Sequence, residues 1–172
     1  RVISDLKEVV KKTEGQVEII AVNDSSTDKS QEILSKIDGI KLISHQHNRG
    51  YGASLKTGLK HSQYDWNLII DSDSTYPTQA IPSMIRKIEE RKVDMVVGAR
   101  NENDQAIPFK RRHAKKFLNA FASYLVAKKV PDINSGLRIF KKDIVLKYWD
   151  LFPEKFSFTS TLTMIALAHK YD

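Results

Sequence analysis

The sequence predicts an α/β fold in which helices cover both faces of a mostly parallel sheet. Short apolar runs rich in isoleucine and valine alternate with stretches whose apolar residues recur three and four positions apart. The 172 residues suit one domain, and 41% hydrophobic residues with seven glycines and five prolines is an ordinary globular composition. Because strands joined through helices make right-handed crossovers, the alternation indicates a parallel arrangement.

Four apolar runs predict buried strands, since each is short, rich in β-branched residues and bounded by turn-forming residues. They are "QVEIIAV" (16–22), "IKLIS" (40–44), "NLIID" (67–71) and "VDMVVG" (93–98). The stretches between them, "DKSQEILSKI", "GASLKTGLKHS" and "PTQAIPSMIRKIEERK", have helical spacing. We expect Asp28 to cap the first of these helices, and Pro77 or Pro82 to lie near the first turn of the last.

The second half of the chain departs from this rhythm. A loop after "GARNENDQAIPFKRR" precedes a predicted helix at 113–127, a strand "GLRIF", a helix near "KDIVLKYW" and a final helix around "STLTMIALAHK". The chain also opens in a helix, "VISDLKEVVKK", although an alternating fold usually opens with a strand. We therefore expect residues 1–172 to form a single domain that is truncated at both ends, as a fragment of a longer chain.

Composition excludes several classes of protein. The chain has no cysteine, which excludes disulfides and thiolate metal sites. No apolar run approaches the roughly 20 residues that span a bilayer, and the N-terminus lacks a signal-peptide core. The chain as written is therefore not expected to cross a membrane.

The net charge of +7 comes from one part of the chain. Residues 105–131 contain seven basic residues and no acidic one, and without those seven the 28 basic residues fall to the number of acidic residues, 21. Such a patch suggests a localised anionic partner, namely phosphate, lipid headgroups or nucleic acid. A solvated lysine-rich face is the plain alternative.

Acidic residues follow two of the predicted strands, at the edge where α/β sheets bind ligands. Asp71 and Asp73 are the sharpest signal, because two carboxylates so close repel each other and favour a positive partner. They can share one Mg²⁺ or Mn²⁺, which keeps other positions for phosphate oxygens. Ordinary turn chemistry is the alternative, and Asp24 in "VNDSSTDKS" can likewise aim at a ligand or simply cap a helix.

Two further stretches carry candidate binding residues. "HNRGYGASLKTGLK" (47–60) fits neither the dinucleotide glycine motif nor the P-loop, although Gly50 and Gly52 would permit a tight turn and a close approach of a ligand. "PDINSGLRIF" (131–140) offers Arg138 as a bidentate phosphate ligand. A surface ion pair between Asp132 and Arg138 is the alternative.

Six stretches in this order resemble a known family: "VNDSSTD", "NRGYGASLKTGL", "DSDSTYP", "VVGAR", "DINSGLRIF" and "FSFTSTLTMIAL". They are similar to the inverting nucleotide-diphospho-sugar glycosyltransferases of family 2, which have a GT-A (Rossmann-like) fold. The likeness is greatest to the polyprenyl-phosphate branch, which is dolichyl-phosphate mannose synthase-like. The sequence differs from the family pattern at Asn23 and Ser25, where members usually have Asp and Gly, and at Thr75, where some have Gln.

The resemblance implies roles for the matching residues. Asp71 and Asp73 would hold Mg²⁺ or Mn²⁺ on the diphosphate, and Asp73 and Arg138 are the expected catalytic residues. The expected substrate-binding residues are Asp24, Asn48, Arg49, Gly52, Arg100, Arg111, Lys115, Asp132 and Ser135.

The implied enzyme is a hexosyltransferase that uses a nucleotide-sugar donor and a polyprenyl (dolichyl) phosphate acceptor. A hydroxyl acceptor needs a carboxylate base, whereas a phosphate is already anionic at neutral pH. Relatives that glycosylate hydroxyls typically carry an acidic pair near the start of the late helix, and "FSFTSTLT" (156–163) has none. We expect a cytoplasmic protein, peripheral at the membrane face, whose longer chain can carry membrane anchors.

Three other interpretations remain open at this stage. A glycosyltransferase of the same fold could use a glycan hydroxyl as its acceptor. The run from Asp71 to Thr75 also resembles the nucleophile loop of haloacid-dehalogenase-like phosphatases, but in those proteins it follows the first strand. A basic nucleic-acid-binding module would use the 105–131 patch, yet the exposed aromatics of single-strand binders are not evident there, and nucleic acid is not an expected partner.

Overall fold

The computed structural model describes residues 1–99, 120, 123–124 and 132–172. The predicted helix at 113–127 and the basic patch of 105–131 lie almost wholly outside the described residues. In chain order the elements are α1 (Val2–Val10), β1 (Ile20–Asn23), α2 (Ser30–Ser35), β2 (Lys41–Ser44), α3 (Tyr51–His61), β3 (Trp66–Ile69), α4 (Ile81–Arg91), β4 (Met95–Val97), β5 (Arg138–Lys141), α5 (Lys142–Lys147) and α6 (Phe158–Ala168). Short 3-10 helices span Thr78–Ala80 and Trp149–Leu151.

The helices begin and end close to where the sequence predicts them. Pro82 is the second residue of α4, where its missing N–H costs no helical hydrogen bond. The N-cap position of α2 is occupied by Lys29 and not by Asp28 as expected; Asp28, one residue earlier, accepts a hydrogen bond at 2.9 Å from the N–H of Ser30, the first residue of the helix. β1 starts at Ile20 rather than at residue 16, so the strand is shorter than its apolar run.

The strands confirm the α/β class, and those described form two sheets, a parallel pair and an antiparallel group of three. β1 and β2 pair in parallel, with Ile20 opposite Lys41. β5 lies between β3 and β4 and pairs antiparallel with both. The crossover rule concerns connections between parallel strands and does not set the direction of β5, which runs opposite to both of its neighbours; most of the stretch between β4 and β5 lies outside the described residues.

Successive residues of β5 face two different cores, as expected of a strand covered on both faces. Phe140 packs with Phe158 of α6 in one hydrophobic cluster. Ile139 packs with Met84 of α4 in another. Arg138 is two residues from Phe140 and so lies on the α6 face of the strand.

Over the described ranges, no helix has the length and apolar character needed to cross a bilayer.

Candidate functional site

Asp71 lies two residues beyond the end of β3, and its carboxylate is held between two chain segments. Oδ1 accepts a hydrogen bond from the hydroxyl of Tyr51 at 2.9 Å. The other oxygen lies against the backbone of Gly136, where a Cβ atom would come within 1.8 Å of Oδ2. The N–H of Gly136 in turn donates to the hydroxyl of Tyr76 at 2.6 Å. Only glycine at position 136 allows the loop before β5 to come this close to the acidic loop.

Asp73 lies in the exposed turn that continues from Asp71. Its Oδ1 accepts a hydrogen bond from the N–H of Thr75 at 2.9 Å, and Ser74 between them has a φ of 63°. An L-residue with positive φ is unusual and is commonly retained at functional loops. Asp73 thus makes the side-chain to backbone hydrogen bond typical of a turn, which the sequence allowed as an alternative. Its side chain remains accessible to solvent.

Asp24, just past β1, organises the neighbouring loop. Oδ1 accepts hydrogen bonds from the N–H of Arg49 and from Nδ1 of His45, and Oδ2 accepts one from the N–H of Gly50. Burial works to raise the pKa of this carboxyl, but the hydrogen bonds from Arg49, His45 and Gly50 outweigh it and hold the pKa of Asp24 below its ordinary value. Asp24 is therefore ionised at neutral pH.

His45 links Asp24 to α3. Its side chain is 6% exposed, with Nδ1 2.7 Å from Asp24 Oδ1 and Nε2 2.9 Å from the hydroxyl of Thr57. In the neutral imidazole, Nδ1–H donates to Asp24 while Nε2 accepts from Thr57. The role of His45 is not evident from the sequence, because its partners lie 21 and 12 positions away.

The close approach predicted at the α3 glycines is made by the protein itself. The N–H groups of Gly52 and Ala53 donate to the carbonyls of Lys155 and Glu154 at 2.8 and 2.6 Å. A Cβ atom on Gly52 would lie 2.1 Å from the carbonyl oxygen of Pro153. Because the N–H groups of this first turn are occupied by the chain, the start of α3 is not built like a phosphate loop.

The neighbouring Asn48 and Arg49 lie at the surface. The side-chain amide of Asn48 donates to the carbonyl of Asp24 at 3.3 Å, which fixes the loop from a second point. These two side chains and the Asp24 carboxylate therefore share one rim of the sheet edge.

Ser135 and Arg138 were expected to face phosphate groups and Asp132 to bind substrate, but the structure places all three under the surface. Their exposed fractions are 2%, 0% and 0%. The hydroxyl of Ser135 donates to the carbonyl of Gly98 at 2.6 Å. In this arrangement they join the loop before β5 to β4 and to α6. Arg100, Arg111 and Lys115 lie outside the described residues.

Arg138 uses its guanidinium to tie that loop to α6. It donates to the carbonyls of Ile133 and Ser135, to the carbonyl of Thr159 at 2.7 Å and to the hydroxyl of Thr163 at 2.9 Å. Burial lowers the pKa of Arg138 to about 10, so the side chain keeps its charge at neutral pH. A cation this deeply buried is retained where its hydrogen bonds are satisfied.

The acidic loop has the donor chemistry for a divalent cation. Among residues 1–99 and 132–172, no group of three His, Cys, Asp or Glu side chains is placed to hold a metal. A cation of the Mg²⁺ type nevertheless needs only one or two protein carboxylates when substrate phosphates supply further oxygens. Asp71 and Asp73 fit that requirement as hard oxygen donors, and Asp73 is open to solvent.

Among the described residues, two of the cavities lie at opposite ends of the sheet formed by β3, β5 and β4. One of about 260 Å³ lies beside the acidic loop and is lined by residues 74–79 together with Arg1, Val2 and Asp5. The other, of about 480 Å³, lies at the far end of β5, lined in part by Asp94, Lys141 and Tyr171. Only the first adjoins the carboxylates described above.

Known proteins resemble this chain over most of its length. The sequence matches the family model described as glycosyl transferase family 2 over residues 1–149. An uncharacterised protein of Methanocaldococcus jannaschii is 31% identical over 166 residues, which cover 92% of this chain and 68% of that protein.

Solved structures resemble the fold at low sequence identity. Glucosyl-3-phosphoglycerate synthase from Mycobacterium tuberculosis, solved in complex with UDP, has a TM-score of 0.71 and 19% identity over 98% of this chain and 60% of its own. TarS of S. aureus, residues 1–349 in complex with UDP, has a TM-score of 0.62 and 20% identity over 96% of this chain and 51% of its own. The chain thus spans about half to three fifths of the length of these structures.

Proposed function

Because the chain belongs to glycosyl transferase family 2, we propose that the whole protein transfers a sugar from a nucleotide-diphospho-sugar to an acceptor. The match to the family model confirms the family that the sequence motifs resemble, and the similar solved structures confirm the fold. Membership of a glycosyltransferase family favours this activity over the phosphatase interpretation. The observation that carries the proposal is the acidic loop after β3, where Asp71 is fixed by Tyr51 and Gly136 and Asp73 is accessible.

The carboxylates of Asp71 and Asp73 would hold Mg²⁺ or Mn²⁺ at the donor diphosphate. When bound, the cation would offset the negative charge that develops on the departing nucleoside diphosphate. The M. tuberculosis protein, which shares the fold, was solved with Mn²⁺ and UDP together. In this chain Asp71 also interacts favourably with the buried charge of Arg138.

The nucleotide would lie along the rim formed by Asp24, Asn48 and Arg49. A carboxylate has about four lone-pair sites, and three hydrogen bonds to Asp24 leave one of them on Oδ2. The side chain of Asp24 is 19% exposed, so this site can accept an N–H group of a nucleotide base. Asn48 and Arg49 would border the same pocket. Gly52 would act indirectly, by letting the loop at 153–155 support α3.

The acceptor we propose is a polyprenyl phosphate. α6 has no acidic residue in its first turn, and its first two residues, Phe158 and Thr159, are buried. This end of the helix therefore supplies no carboxylate to deprotonate a hydroxyl, whereas a phosphate monoester needs no strong base. The surplus of basic residues at 105–131 supports attachment of the protein to the cytoplasmic face of an anionic membrane, at about 1 kcal/mol for each lysine or arginine.

The test is sugar transfer from UDP- and GDP-sugars to polyprenyl phosphate, with Mn²⁺ present. We expect Asp73→Ala to lower the rate by about 100-fold or more, the loss typical of removing one group that stabilises developing charge. Asp150→Ala is the matched control, since Asp150 is also exposed but lies near α5, away from the acidic loop. An unchanged rate in Asp73→Ala would refute the metal role. Transfer to phosphoglyceric acid and not to the lipid would reassign the acceptor.

A further inference from the structure

The first turn of α3 is fixed by two segments of chain that approach it from different sides. Asp24 accepts the N–H groups of Arg49 and Gly50 at 2.9 and 2.7 Å. On the other side, the carbonyls of Glu154 and Lys155 accept N–H groups from the next two positions beyond Tyr51. The Cα atom of Tyr51 lies between these two sets of bonds, so its position depends little on the rest of the helix.

From this fixed point the side chain of Tyr51 reaches Asp71. The phenol donates to Oδ1 at 2.9 Å, while Oδ2 lies against Gly136, so both carboxylate oxygens have a defined neighbour. An oxygen of a carboxylate has two lone-pair sites, so Oδ1 can accept this bond and still face a cation. A tyrosine phenol ordinarily has a pKa of about 10, so its O–H is available as a donor at neutral pH.

We propose that Tyr51 is a positioning residue, whose hydroxyl orients Asp71 for the divalent cation and connects the cation to the loop held by Asp24. The inference rests on the proposed function, which gives Asp71 its cation. Groups that orient a metal-binding side chain in this way typically contribute a factor of about 10–100 to metal affinity. Tyr51 does not touch the reacting atoms in this role.

The test measures metal affinity directly, without turnover. Mn²⁺ is titrated into the purified protein at saturating UDP, whose phosphates supply further oxygen ligands, and free Mn²⁺ is followed by electron paramagnetic resonance against a titration of UDP alone. We expect Tyr51→Phe, which removes one oxygen atom, to raise the Mn²⁺ dissociation constant about 10-fold or more. Tyr64→Phe is the matched control, because both tyrosines are 36% exposed and each hydroxyl donates to another side chain. Tyr64 precedes β3 and donates to Gln16 at 3.3 Å, whereas Asp71 follows β3.

Two further measurements separate the possible outcomes. Asp71→Asn tests the proposed function itself: if this variant binds Mn²⁺ like the wild type, Asp71 is not a metal ligand and both proposals fail. If Asp71→Asn weakens binding but Tyr51→Phe stays within about twofold of the wild type, only the role of Tyr51 is overturned. UDP affinity without Mn²⁺ reports general damage to the α3 loop, so an equal loss of UDP and Mn²⁺ affinity in Tyr51→Phe would also overturn that role.

Discussion

Replacement of Arg138 by methionine distinguishes a buried structural cation from a phosphate ligand. Methionine keeps much of the length of the side chain but removes every N–H donor. In the folded protein those donors reach the carbonyls of Ile133, Ser135 and Thr159 and the hydroxyl of Thr163, with no exposed surface on the arginine.

The expected cost follows from these contacts. A buried carbonyl left without its donor costs about 1–3 kcal/mol. Ser135 loses both of its bonds from Arg138, whereas the carbonyl of Thr159 keeps a bond from Thr163. Asp132, which is 2% exposed, also loses the favourable interaction with the buried cation. Removing one charged partner from a buried site typically costs about 3–5 kcal/mol, and we adopt that range here.

Thermal unfolding followed by circular dichroism checks this magnitude. At about 2–4 °C per kcal/mol for a chain of this size, the melting temperature should fall by roughly 6–20 °C. Lys141→Met is the matched control in the same strand: its partner Asp94 lies 2.7 Å away at the surface, and an exposed pair contributes about 0–1 kcal/mol. If Arg138→Met melted within about 2 °C of the wild type and lost UDP affinity instead, the arginine would be a ligand and our reasoning would be refuted.

Three further predictions concern other contacts of the site. Gly136→Ala places a methyl group 1.8 Å from Asp71 Oδ2, so Mn²⁺ titration should show lost affinity; retained affinity would contradict the contact. Gly52→Ala places a Cβ atom 2.1 Å from the carbonyl oxygen of Pro153, and unfolding should show a loss of about 1–3 kcal/mol, while an unchanged melting temperature would count against it. The pKa of Asp24 is lowered in the folded protein, so its stabilising contribution is complete above the ordinary carboxyl pKa and is lost as the pH falls through the lowered value. In Asp24→Asn, the free energy of unfolding measured with urea should therefore fall less steeply at acid pH than in the wild type. An unchanged decrease at acid pH would disprove the assignment.

The sequence was sufficient to predict the α/β class and the position of the acidic loop. Apolar runs ending in aspartates mark strand ends, and Asp24 and Asp71 do follow β1 and β3. The direction of β5 could not be predicted from such local patterns, because it depends on a connection of some length between distant parts of the chain.

The alternation of side chains along β5 is enough to predict that Arg138 is buried. In "GLRIF" the arginine shares its face with Phe140, which is fully buried, and a strand with apolar neighbours on both faces leaves it no route to solvent. The expectation that Arg138 binds phosphate rested on the chemistry of its guanidinium and not on its position in the strand. The contacts of His45 and Tyr51 could not be predicted, because each joins residues that only folding brings together.

The support of α3 by the loop at 153–155 is made between main chains, and this has a consequence for which substitutions each side can accept. The carbonyls of Glu154 and Lys155 would be present whatever side chains stood there, so those two positions can change identity freely as far as this contact is concerned. The opposite side has no such freedom, since Gly50 has a φ of 103° and Gly52 lacks room for one more carbon atom. At residues 154–155 the contact therefore depends only on the main chain, whereas positions 50 and 52 require glycine.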